Sequence, residues 1–308
     1  YQLMKIILMV LALFIGVSYS HACDICGSAS GAFSLGLMPN SKQHFVGLRS
    51  TLRWFESQPA PDGHGFRGVS NQFFTSTELF GRYKISKRFQ LQGFIPLVVN
   101  QKTDSITTTI KGLGDVMVFG NFVFVDNMDS ITKKVRHSGT IGLGVKAPTG
   151  QFFKLGFEEI NMLPGTGAVD FVANVNYLFQ LQNNIGFQNE TSFTYKLTNK
   201  YHYRFGNALA ISQLIFYRWK LNESLSLVPQ IGVQYMHNWK DLKNGELSED
   251  TYNGGDLLNG QLSLFLIWKK WGFTIQGQLP IYQRLNRGYV SQLGTLRCGV
   301  NYFITSKK

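Results

Sequence analysis

Charge is scarce in this chain. Charged residues make up 16% of 308, well under the roughly 25% of an average soluble domain. Proline is also sparse, at 8, against 32 glycines and 14% aromatics. That mix suits many strands joined by turns better than a helical protein. Mean hydropathy is near zero, and no stretch is long and apolar enough for a spanning helix, which excludes a bundle of membrane helices. A β-barrel escapes that exclusion, because every second residue faces its lumen and can be polar. The net charge of +12 raises the question of nucleic acid. No Lys/Arg run exceeds two residues and no basic stripe or known module is present, so nucleic acid is not expected. Anionic lipid and lipopolysaccharide are a better match for the charge. Catalytic signatures are missing as well. There is no Gly-x-Ser-x-Gly elbow and no His-Glu-x-x-His helix, and the six histidines sit mostly at strand ends or in loops, so an enzyme is not expected.

The N-terminus carries the clearest local signal. Met4-Lys5 marks a start, Ile6 to Val17 is an unbroken apolar stretch, and Ser20-His21-Ala22 is a small-x-small cleavage site. Residues 1–22 read as a secretory signal peptide. Cys23 follows directly, so lipidation is an alternative, although Ser20 and His21 replace the usual Leu-like and small residues.

From residue 44 the pattern is strict alternation in segments of about ten residues, the period of a strand. Ile141, Leu143 and Val145 oppose Gly142, Gly144 and Lys146. Phe171, Ala173, Val175 and Tyr177 oppose Asp170, Asn174 and Asn176. Leu225, Leu227, Ile231, Val233 and Tyr235 oppose Ser226, Gln230, Gly232 and Gln234. A soluble sandwich would put Lys and Glu on its second face. Here that face is Gly, Ser, Thr, Asn and Gln with single charges, the composition of a wet, crowded barrel lumen. Aromatics at strand ends (Trp54, Tyr83, Tyr177, Tyr195, Trp219, Tyr235, Trp268, Tyr282) suit the membrane interfaces. The spacing predicts about twelve strands, at 44–55, 71–84, 89–99, 112–125, 138–147, 166–180, 184–197, 203–219, 224–239, 256–268, 271–283 and 291–304. Short connections alternate with long ones at 57–70, 101–111, 148–165 and 240–255, except that 127–137 is long where a short turn is expected. The expected fold is all-β: a transmembrane antiparallel up-and-down β-barrel over residues 44–305, a monomer.

The alternation turns nine charges into the lumen: Arg49, Arg53, Glu78, Arg82, Asp115, Lys146, Asp170, Glu190 and Arg297. They read as ion pairs bracing a narrow barrel, as a selectivity lining, or as both. Cys23-Asp24-Ile25-Cys26-Gly27 is the one metal candidate. Two thiolates at this spacing can hold Cu(I) or close a small disulfide. A structural zinc site would need further ligands, and c-type haem would need His where Gly27 stands. Cys298 falls on the apolar face of the last strand. Residues 27–43, small and apolar with Phe33, Leu35, Leu37 and Met38, lack strand alternation. The segment 23–43 is expected to plug the periplasmic mouth.

Several motifs carry a resemblance. Gly112-Leu113-Gly114-Asp115 opens a strand and Gly144-Val145-Lys146-Ala147-Pro148-Thr149-Gly150 closes one. Pro164-Gly165-Thr166-Gly167-Ala168-Val169-Asp170 and Tyr203-Arg204-Phe205-Gly206-Asn207 follow in order. Together these resemble the outer-membrane family named for the MetA pathway of phenol degradation, over about residues 45 to 303. The N-terminal Cys-Asp-Ile-Cys-Gly and His44 to Arg49 are similar to Bacteroidetes members, in which a third Cys commonly stands at Ser28. Arg297, Gly299, Tyr302 and Ile304 resemble the C-terminal signal read by the barrel assembly machinery, with Ile304 in place of the final aromatic. The resemblance implies a transporter-like outer-membrane barrel moving small hydrophobic or aromatic molecules. Two other classes are carried beside it: a copper-binding protein acting through Cys23 and Cys26, and a surface barrel whose long loops bind partners.

Overall fold

The computed structural model describes residues 43–58, 69–128, 133–152, 157–182, 184–247 and 253–304. The expected signal peptide and nearly all of the expected plug, including Cys23 and Cys26, lie outside them.

Twelve strands form the barrel: β1 (His44–Ser57), β2 (Ser70–Lys84), β3 (Phe89–Thr103), β4 in two pieces (Thr107–Leu113 and Met117–Asp126), β5 (Val135–Lys146), β6 (Asp170–Leu181), β7 (Ile185–Lys196), β8 (Ala208–Tyr217), β9 (Leu225–Asn238), β10 (Gly255–Trp268), β11 (Trp271–Leu285) and β12 (Val290–Ile304). Each pairs antiparallel with its sequence neighbour. The last strand returns to the first, from His44↔Ile304 to Ser57↔Val290, and closes the cylinder. Closure leaves no open strand edge, so every strand can satisfy its backbone groups inside hydrocarbon.

The outward face identifies the solvent. Leu143 is 69% exposed, Ile281 64% and Ile231 60%, within an unbroken belt of Val, Leu, Ile and Phe around the wall. Water would not tolerate an apolar patch of that extent; lipid chains do. The eight end-of-strand aromatics face the same way as this belt. Cys298 is also outward and free. Among the described residues, no helix is long and apolar enough to cross a membrane.

Three boundaries differ from the sequence reading. The expected loop at 101–111 is mostly strand: β3 runs to Thr103, and Thr107–Leu113 pairs back along it from Thr103↔Thr107 to Leu97↔Leu113. Polar residues on both faces looked like a loop, yet the β-branched Thr107, Thr108, Thr109 and Ile110 favour a hairpin standing above the membrane. The chain breaks at Gly114–Val116 and resumes pairing with the other half of β3, from Phe94↔Met117. The expected strand at 166–180 begins only at Asp170, because Gly167 adopts φ +66°. The expected strand at 203–219 is interrupted. Tyr203–Arg204 pairs with Leu242–Lys243 in a small loop sheet, and β8 starts at Ala208.

Candidate functional site

The inward faces divide the lumen into three levels. At the short-turn end lies an apolar floor of Phe45, Phe80, Phe94, Phe119, Phe216, Phe265 and Phe303, with Met117, Val172, Leu178 and Val228. These side chains come from nine of the twelve strands. Phe80 and Phe94 stack at 5.9 Å, and Phe94 meets Phe119 edge-on at 6.1 Å. Inward glycines make room for the rings. A Cβ on Gly144 would lie 2.7 Å from the Phe119 ring, and one on Gly272 2.9 Å from Phe265. Gly144 and Gly272 are therefore sockets for phenyl rings.

The middle level is polar. Arg49 pairs with Glu78 at 2.5 Å, and Arg297 donates to Thr51 Oγ1 at 3.2 Å and Gln276 Oε1 at 3.1 Å. Arg53 is near enough for its charge to act on Glu78. Glu190, on the inner face of β7, likewise acts on Arg297. Gln261 is the hub of an amide network: it donates to Ser212 Oγ at 2.8 Å, and its Oε1 accepts from Gln276 at 3.0 Å and Gln278 at 2.9 Å. Arginines also bound the floor from both sides. The Arg49 guanidinium lies 5.1 Å from the Phe80 ring centre, and Arg82, one turn of the pleat nearer the short-turn end, lies 4.9 Å from that of Phe45. Each is a cation–π contact that lets a buried charge rest on an apolar layer.

The upper level is closed by a loop. The connection after β5, one of the long ones, turns into the lumen and carries a 3-10 helix, Phe157–Met162. Met162 packs among Phe55, Phe74, Leu257, Leu285 and Val290 of the inner wall, and Asn100 Nδ2 donates to its carbonyl at 2.9 Å. Asp115 holds this loop in place. One carboxylate oxygen accepts from the Gly150 amide at 2.9 Å. The other accepts from the Thr166 amide at 2.9 Å and its hydroxyl at 2.8 Å, and meets Lys146 Nζ at 3.2 Å. Lys146 also meets Asp170 at 2.6 Å. Gly150 and Gly165 pack backbone to backbone beside the carboxylate; a Cβ on either would come within 2.8 Å of Asp115 Oδ1. Three of the four motifs thus converge on this one latch. The fourth builds a second node higher in the loops. The Tyr203 hydroxyl donates to Asp241 Oδ2, and the Gly206 amide to Asp241 Oδ1 at 2.6 Å. Burial pushes the Asp241 carboxyl up, against the opposing pull of these hydrogen bonds and of Lys196.

All nine charges picked out by alternation face inward or into the latch. They gather as two groups rather than one lining: Arg49, Arg53, Glu78, Glu190 and Arg297 at mid-height, and Asp115, Lys146 and Asp170 above, with Arg82 at the floor. Sequence reasoning missed Lys102, Lys196, Arg136, Arg218 and Asp241. Lys102 and Lys196 continue the inward registers of Asn100 and Thr194, so alternation carried to the strand ends finds them; Asp241 has no periodic signal. Among the described residues, no group of three His, Cys, Asp or Glu could hold a metal ion.

No protein-family model matches the chain, and no curated protein matches its sequence. Solved structures do match in fold. An outer membrane channel from Pseudomonas putida F1 superposes with a TM-score of 0.62 at 11% identity, covering 89% of this chain and 100% of that one. The β domain of the Bordetella autotransporter BrkA superposes at 0.51 and 9% identity, covering 85% and 100%. The lipid-facing belt, the closed twelve-strand cylinder and these likenesses agree that the protein is a β-barrel of the bacterial outer membrane.

Proposed function

We propose that this barrel is a loop-gated channel for small hydrophobic or aromatic solutes. The phenyl floor supports the reading most directly. A hydrated ion or sugar would have to shed water to enter it, at a cost of several kcal/mol per unsatisfied polar group. An aromatic solute exchanges contacts with water for contacts with rings, which is favourable. The amide and arginine level above offers hydrogen bonds for one polar substituent, so an aromatic body with a single polar handle is the best match. The Asp115 latch holds the inward loop across the route and acts as the gate. Residues 23–43 act as a further plug at the periplasmic mouth.

The test is solute entry into liposomes carrying the folded barrel, intact, with residues 23–43 removed, and as Asp115→Ala. Small aromatics should enter faster than sugars of similar size, and both alterations should raise entry. Equal rates for sugars and aromatics, or no entry in any form, would remove the proposal.

A further inference from the structure

Below the phenyl floor, on the inner face of the short-turn mouth, two arginines come together with no carboxylate paired to either among the described residues. Arg136 is on β5 and its register partner is Gln180 on β6. The Gln180 amide donates to Asn184 Oδ1 at 3.4 Å, and the Arg218 backbone amide donates to the Asn184 carbonyl at 2.9 Å. Arg136, Gln180 and Arg218 hold inward-facing registers: Arg136 two residues before Ser138, Gln180 two after Leu178, and Arg218 two after Phe216 of the floor. Arg136 and Arg218 are near enough for their charges to repel.

Neither arginine has an ion-pair partner among the described residues. Arg218 Nε is buried and meets no hydrogen-bond acceptor. Gln180 is fully buried, at 0% exposure, and its Oε1 is likewise unpartnered. Like charges held side by side at half-buried positions are costly, and a buried guanidinium NH left unmade adds to that cost. An oxyanion would relieve both at once: it would separate the two positive charges and accept from planar forks suited to phosphate and carboxylate.

We infer that Arg136 and Arg218 form an oxyanion site at the periplasmic mouth, for a soluble phosphate or carboxylate. The inward register favours a soluble anion over a phospholipid headgroup, which would approach from the outer wall. The site stands independently of what crosses the barrel. For a solute with a carboxylate handle, it would be a cationic contact beyond the floor.

Thermal unfolding of the purified barrel in detergent, followed by heat-modifiable gel mobility, tests this with inorganic phosphate and benzoate against chloride at matched ionic strength. Phosphate or benzoate should raise the midpoint of the intact protein by several degrees, and R136Q/R218Q should abolish the rise. R218Q alone, measured in chloride, should be at least as stable as the parent, because it removes a repulsion; an arginine with a merely structural role would be missed. R218K should keep part of the anion response, which separates lost charge from lost folding. The inference is overturned if neither anion stabilises the intact barrel, or if the double variant keeps the full response. It is also overturned if phosphatidylglycerol nanodiscs stabilise the barrel over phosphatidylcholine ones while free phosphate does nothing.

Discussion

Asp115→Ala is the most informative single perturbation of the barrel. The carboxylate is buried and accepts three hydrogen bonds from the inward loop, at 2.8–2.9 Å, besides meeting Lys146 at 3.2 Å. Removing one member of a buried ion pair costs about 3–5 kcal/mol. Asp170 stays beside Lys146 at 2.6 Å, so the lower end, about 3 kcal/mol, applies. Gly150 and Thr166 belong to the loop, so the loss falls on its docked state rather than on the strands. At 1.4 kcal/mol per factor of ten, the undocked loop becomes about a hundredfold more populated. Hydrogen exchange at the Thr166 and Gly150 amides should accelerate by about that factor, with β-strand amides unchanged, and entry of small aromatics into liposomes should rise. Asp115→Asn, which keeps an acceptor but loses the charge, should fall between. Unchanged Thr166 exchange in a correctly folded Asp115→Ala barrel would refute the latch.

The other perturbations probe the floor, the wall and the loops. Phe119→Ala removes a fully buried ring and should cost about 3–5 kcal/mol of stability while increasing entry of small aromatics into liposomes. Gly144→Ala places a methyl 2.7 Å from that ring; it should destabilise the barrel by about 1–3 kcal/mol in urea unfolding, and more weakly once Phe119 is already Ala. At the Tyr203–Asp241 node the sign of the pH effect is fixed. A carboxyl raised in the folded state binds more protons there than when unfolded, so its contribution is present at low pH and is lost as pH rises from the ordinary carboxylate value through the raised one. The Gly206 amide should therefore open more readily at pH 8 than at pH 5, after correction for intrinsic exchange, and Asp241→Asn should flatten the difference.

The sequence by itself determined the class of the protein. Alternation fixes which residues share a face, and an apolar face backed by Gly, Asn and Gln rather than Lys and Glu has few homes other than a barrel wall in lipid. For the same reason Arg49, Glu78, Lys146, Asp170 and Arg297 were legible as inward before any contact was known. Only the tertiary structure decided how the lumen is closed. Period-two alternation says that Phe119 and Gly144 face inward, but not that β4 and β5 set the ring over that glycine. Gly150, Gly165 and Asp115 lie far apart in sequence and outside regular strands, so nothing periodic joins them. They meet because the antiparallel pairing of β4 with β5, from Met117↔Lys146, brings the break in β4 beside the end of β5, where a single carboxylate can pin the loop that follows. Arg136 and Arg218 likewise become neighbours only through the pairing of β5 to β8, since their approach depends on four strands at once.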